Sequence, residues 1–390
     1  MRRRALALVI AIFAALVAGA CSSGAPDPGP SQAAAAPATA PAATAARRPA
    51  KPVDRTPSSA RRLRLVRTIT GDLSSKSVVS SQHGHFFAQN MMYRHTISVY
   101  DRRGRLVKTI PDAVDLSRFG VRGHPGTVRG APVEAAFLPD GTAAYVSNYS
   151  MYGAGFGPEG NDVCSPSSGY DDSFVYRVDA RSLRIVDAIR VGAVPKYVAV
   201  TPDGKRVLVS NWCSWDLSVI NVAKGAQSRR IPLGRYPRGI AVGPSGKYAY
   251  VAVMGSTDIA RVKLADLSVS WLRGVGNAPR HLVIDGAGDF LYATLNGEGR
   301  VAKINLRTGR VVAKVATGTA PRSMAIAPDG RSLYVVNYES NTVSKVRTRD
   351  MAVIQTVATN ADPIGIDYDR DTRQVWVACY TGSLMVFRDV

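Results

Sequence analysis

The chain has 390 residues, of which 46% are apolar and 7% aromatic, so a sizeable core can form and a wholly disordered chain is excluded. Its formal charge is +21, and residues 1–60 account for only +5, which leaves +16 on the rest of the chain. A body this basic attracts anionic partners, or is kept soluble by its charge.

The N-terminus reads as an address. Met1-Arg2-Arg3-Arg4 is followed by sixteen uncharged residues, Ala5 to Ala20. That is short for a membrane span and fits a signal-peptide apolar region. The sequence Leu16-Val17-Ala18-Gly19-Ala20-Cys21 resembles the bacterial lipobox. The resemblance implies removal of residues 1–20 and lipid modification of Cys21, with the anchor as the membrane contact on the outer face of the cell membrane. A plain secretory signal cut near Ala20 is the alternative; both export the chain. Residues 21–60, rich in Ala, Pro, Ser and Thr, hold too little apolar surface to offset chain entropy and read as a disordered tether. At roughly 3 Å per residue where extended, the tether reaches on the order of 100 Å.

Beyond it, a repeat governs the chain. Gly192-Ala193-Val194-Pro195, Gly234-Arg235-Tyr236-Pro237, Gly276-Asn277-Ala278-Pro279 and Gly318-Thr319-Ala320-Pro321 are followed by a degenerate copy ending at Pro363, and the prolines stand 42 residues apart at every step. A fixed period of this length marks a repeat architecture. In the unit opened by Pro237, four short β-rich runs alternate with Gly/Pro/Asp/Ser turns, which describes one four-stranded antiparallel blade. Units beginning near Val78 and at Pro132 extend the array upstream. The last unit, from Pro363, has only three runs, and the run from Leu63 to Ile69 supplies the fourth. The expected fold is therefore all-β: a seven-bladed β-propeller over residues 61–390, its last blade closed by the N-terminal strand, with no sheet edge left at the seam.

The runs Tyr145-Val146-Ser147-Asn148 and Tyr334-Val335-Val336-Asn337, the Pro-Asp-Gly turns at 202–204 and 328–330, and Asn341-Thr342-Val343-Ser344 resemble the YVTN-repeat β-propeller family. The resemblance covers roughly residues 61–390 and implies a bacterial or archaeal surface or periplasmic propeller. Such propellers include surface-layer, lactonase-like and haem-d1-binding proteins, so the likeness speaks for fold more than for activity.

The repeat also places side chains. The residue after each repeat proline should ring one mouth of the central channel: Lys196, Arg238, Arg280 and Arg322, with Lys76 at the equivalent place in the first blade and Val133 and Ile364 completing the seven. Converging cations in a narrow opening focus field on an anion. His281 follows Arg280, and Tyr93, Trp212, Tyr338 and Tyr380 stand in the loops of the same face. The second blade carries a 21-residue excess within residues 149–173. Cys164 in it and Cys213 occupy the same inter-strand loop of neighbouring blades, and an oxidising compartment would pair them. Cys379 reads as a buried free thiol. Asp162, Asp171 and Asp172 are a calcium candidate by their acidity but lack the regular ligand spacing of a known loop. His83 and His85 lie a strand's length, roughly 20 Å, from Met91, Met92 and His95, too far to share a metal.

No haem-attachment motif, nucleophile elbow, Walker loop or zinc-spaced set is present in the sequence. No cofactor, metal or catalytic residue is therefore assigned. The expectation is a monomeric binding or scaffold module for an anionic envelope polymer, a small anion or a protein partner. Nucleic acid is set aside, because an exported chain seldom meets it. The alternative is a lactonase-like hydrolase using the same mouth, with Glu134, His281 and the arginines polarising a carbonyl.

Overall fold

The computed structural model describes residues 55–390, apart from residues 92, 158, 159 and 161. The signal peptide, Cys21 and all but the last residues of the tether lie outside the described residues. Residues 58–60, assigned above to the tether, form a 3-10 turn whose buried Ser58 donates from its backbone N–H to Asp329 at 2.7 Å.

Seven four-stranded antiparallel sheets form the seven blades of a β-propeller. Their innermost strands are Ser75–Ser80, Pro132–Phe137, Pro195–Val200, Pro237–Val242, Pro279–Ile284, Pro321–Ile326 and Pro363–Asp369. Each packs against the innermost strands of the blades before and after it, and the first packs against the last, so they close a ring around the axis. The second strand of each blade lies between neighbouring sheets; in Ser332–Asn337 all six residues are buried. The outermost strand faces water on one side, and Arg310–Ala316 alternates exposed and partly buried positions along its whole length. Aromatic rings fill the blade interfaces, as where Phe86 stacks on Trp376 at 4.0 Å.

The strand Leu63–Thr70 pairs with Ser383–Asp389 and completes the seventh blade. The asparagine that ends several second strands has a structural reason. Asn211 Nδ2 donates to Asp216 at 2.6 Å and Ser218 at 2.8 Å, and Asn337 Nδ2 donates to Thr342 and Ser344 at 3.0 Å. The buried amide thus ties the second strand to the third. The repeat glycine fits against it: a Cβ on Gly318 would stand 2.7 Å from the Asn337 side-chain carbon.

Two segments depart from the period. The insertion between Asn148 and Phe174 is held by a disulfide from Cys164 to Cys213, with a Cα separation of 5.2 Å. Between the first and second blades a two-stranded hairpin, Ala113–Asp115 with Thr127–Arg129, buries Val114, Leu116 and Val128 against Phe87 and Phe174. The repeat pattern gave no sign of that hairpin. Cys379 is a buried free thiol.

A cationic candidate site at the channel mouth

In every innermost strand the register shifts just after the first residue, so that Lys76, Val133, Lys196, Arg238, Arg280, Arg322 and Ile364 each sit at a β-bulge or irregularity. A bulge breaks strict alternation and re-aims a side chain. Five residues that precede a repeat proline adopt positive φ: Val194, Tyr236, Ala278, Ala320 and Asp362, between 52° and 64°. Non-glycine residues rarely adopt that conformation, and it persists where the surroundings over-determine it. Turn and bulge recur together at one face, and between them they present the ring residues.

The five cations share one electrostatic environment. Burial, then the charges of Lys196, Arg238, Arg280 and Arg322, push the Lys76 ammonium well below its ordinary range. Burial and neighbouring arginines likewise lower Lys196 to about 7, and burial with mutual repulsion lowers Arg238 and Arg280. Aromatic faces supply part of the compensation: Arg322 lies 3.8 Å over Tyr338, Lys76 4.8 Å over Tyr380, and Lys196 4.0 Å over Tyr149. These are the loop aromatics and one insertion residue, set as cation–π partners.

Full ionic compensation is scarce. Asp162, carried by the insertion, accepts from Lys196 Nζ at 2.9 Å. Against burial, which raises it, the Lys196 charge holds the Asp162 carboxyl below its usual range. Asp162 is therefore a counter-ion of the mouth. Asp171 accepts instead from the Gly157 N–H and Asp172 pairs with Arg230, so the three aspartates do not converge, and no metal-holding cluster occurs among the described residues. Arg238 donates to the Lys196 carbonyl at 3.4 Å and Arg280 reaches Met254 sulfur at 3.8 Å. Buried Nε of Arg322 has no hydrogen-bond partner among the described residues. None of these three guanidinium groups makes an ion pair there.

Below the ring the channel holds a cavity of about 570 Å3, lined by Glu134, Tyr197, His281, Asp367, Gln82 and Arg370 with small and apolar side chains between them. His281 is committed. Its Nδ1 accepts from the Met324 N–H at 3.3 Å, and its Nε2 lies 2.9 Å from the Tyr197 hydroxyl. Burial and Arg238 lower its pKa to about 3, so the ring is neutral. Burial raises Glu134 to about 7, opposed by Ser77 and Arg238, and raises Asp367 to about 6.

The structure therefore brings Lys76, Lys196, Arg238, Arg280 and Arg322 into one electrostatic cluster and sets His281 beneath it, in the cavity wall. Sequence reasoning missed Asp162 as counter-ion, Tyr197 as the partner of His281, and Asp367. The signal for Asp367 was present: a carboxylate inside the otherwise uncharged inner-strand run from Ile364 to Tyr368. His95 bonds buried Asp112 at 2.8 Å and lies apart from the ring.

No family model and no curated protein matches the chain. Among solved structures the chain is similar to hydrazine synthase of Kuenenia stuttgartiensis, with a TM-score of 0.66 and 18% identity, over 83% of this chain and 97% of that one. At that identity the likeness shows the fold alone. Fold and site together define a seven-bladed propeller with a basic channel mouth.

Proposed function

We propose that this protein is an exported, lipid-anchored binding module that captures an anionic group of the cell envelope, as a small anion or as a pendant group on a polymer or protein partner, at the mouth ringed by Lys76, Lys196, Arg238, Arg280 and Arg322. One observation carries the reading: of five clustered cations only Lys196 has an acidic partner at an ion-pairing distance, Asp162, among the described residues. Burying like charges together costs free energy unless something neutralises them. An entering anion would relieve that cost and meet charge-assisted donors. The Cys164–Cys213 disulfide supports an oxidising compartment.

A hydrolase is the second reading, favoured by one observation: Glu134, raised to about 7, lies in the range suited to acid–base work. Against it, His281 has both ring nitrogens engaged. Calorimetry of the folded domain with inorganic phosphate and with poly(glycerol phosphate) tests the binding reading. Salt-sensitive binding is expected, reduced about 100-fold or more in an Arg238→Gln/Arg280→Gln/Arg322→Gln variant that loses several charge-assisted hydrogen bonds. Equal binding by that variant would remove the mouth as the site, and lactone hydrolysis lost on Glu134→Gln would install the hydrolase instead.

A further inference from the structure

The anion reading leaves the channel below the ring unused. Its walls are chemically sorted. Glu134, Tyr197 and His281 are each the next residue along their strands from the ring positions Val133, Lys196 and Arg280. They therefore line a layer only about 3 Å deeper than the cations. Asp367 stands further down the same channel, three residues beyond ring position Ile364. Between these groups much of the lining is small and apolar, including Ala136, Ala199 and Ala325, while Gln82 and Arg370 line it near Asp367.

Two details make this layer a receptor rather than a water-filled gap. First, the tautomer of His281 is fixed. A backbone N–H donates to its Nδ1, so in the neutral ring the proton sits on Nε2 and is donated to the Tyr197 hydroxyl. The Tyr197 hydroxyl, accepting there, keeps its own proton for an acceptor in the channel. Second, neither carboxylate forms an ion pair among the described residues, although Arg370 at the far end of the cavity acts on Asp367. Glu134 feels Arg238 across the layer but forms no ion pair among the described residues, and Asp367 accepts only from the Ser80 and Tyr368 N–H groups. Burial raises both pKa values, which is the signature of acids lacking an ion-pair partner.

We propose that the mouth and the channel layer form one bipolar site for a small zwitterion, whose anionic group meets Arg238, Arg280 and Arg322 and whose ammonium group meets Glu134, with Asp367 adding negative potential from below and Tyr197 donating to the ligand's anionic end. This deepens the anion reading and rests on it. The ligand class is an aminoalkyl phosphate or a comparable amino acid, either free or as the headgroup of a lipid.

The test compares phosphoethanolamine with ethyl phosphate, which keeps the phosphate and lacks the ammonium. If the ring alone selects ligands, ethyl phosphate, the more negative compound, binds at least as well. The bipolar site predicts that phosphoethanolamine binds about tenfold tighter or better, as one added ion pair of about 1.4 kcal/mol requires. Glu134→Gln should erase that preference, and Asp367→Asn should reduce it. Flotation with phosphatidylethanolamine vesicles separates the sources. Binding of free compound without flotation assigns a soluble ligand, flotation assigns a headgroup, and either upholds the zwitterion. Equal affinities for the two phosphates in the wild type overturn the zwitterion and leave the anion reading standing; binding of neither overturns both.

Discussion

Lys345 and Arg280 are both cations withdrawn from water, and they are withdrawn under opposite conditions. Lys345, with 0% side-chain exposure, pairs with Asp389, itself 0% exposed, at the junction of the sixth and seventh blades. The Lys345 ammonium also donates to the Arg61 carbonyl at 3.0 Å, and the Tyr334 hydroxyl donates to Asp389 at 2.7 Å. Arg61 also approaches Asp389, at 3.7 Å, so the buried carboxylate serves both cations, and the cluster fastens the sixth blade to the closing strand and to the chain that leads into it. At the mouth, Arg280 is 7% exposed and stands among Lys76, Lys196, Arg238 and Arg322, with Asp162 the acid in ion-pair contact with the ring. A compensated buried charge is a structural fastening. An uncompensated set, held in place by bulges and left-handed turns, is the arrangement on which the proposed anion site rests.

The comparison breaks or holds on stability first. Asp389→Ala leaves Lys345 buried without its partner, and the expected loss is about 3–5 kcal/mol, read as a lowered urea midpoint. The Arg238→Gln/Arg280→Gln/Arg322→Gln variant should move the other way or not at all, because it relieves repulsion. If that variant loses as much stability as Asp389→Ala, the ring is structural and the contrast fails. Next in size is the insertion. Cys164→Ser/Cys213→Ser opens a link across a separation of 49 residues, and the expected cost is roughly 2–4 kcal/mol. Because Cys164 lies two residues from Asp162, the same variant should also weaken the hold of Asp162 on Lys196, so the apparent affinity for inorganic phosphate should rise. A stability loss with unchanged phosphate affinity would show that Asp162 does not compete with an incoming anion.

The same contrast shows how far sequence reasoning reaches. The propeller was legible because a 42-residue period survives in prolines and glycines that backbone geometry demands, and the missing fourth run named its own replacement at Leu63. The ring positions were legible for the same reason, since one repeat position maps to one place in space. What escaped lies outside the period or between blades. The hairpin Ala113–Asp115 with Thr127–Arg129 has no counterpart in the other units, so repeat matching passes over it. Tyr197 and His281 are 84 residues apart, and only the curvature of the ring brings them to 2.9 Å. Asp162 looked like a calcium candidate because acidity is visible in sequence while the partner of an acid is not. The bulge after each innermost first residue, which aims the cations, is a property of strand pairing and leaves no mark in composition.

The smallest expected effect gives the finest test, through the pH dependence of Glu134. Its carboxyl is raised from about 4.5 to about 7 in the folded protein, chiefly by burial. A group with a raised folded pKa binds its proton more tightly when folded, so its contribution to stability is full below about pH 4.5 and is lost as pH rises through about 7. Glu134→Gln copies the protonated form. The variant should match the wild type near pH 4.5 and exceed it above pH 7, by an amount reduced from the about 1.4 kcal/mol per pKa unit of the ideal case because Glu134 is only partly buried. Asp367, raised to about 6, titrates in the same window and its charge raises Glu134, so the difference between urea midpoints in an Asp367→Asn background for both proteins isolates Glu134. The opposite sign, a variant less stable above pH 7, would mean that the Glu134 carboxylate is held ionised by Arg238. The ring would then carry a second counter-ion from below, and its charge balance would approach that of Lys345 and Asp389.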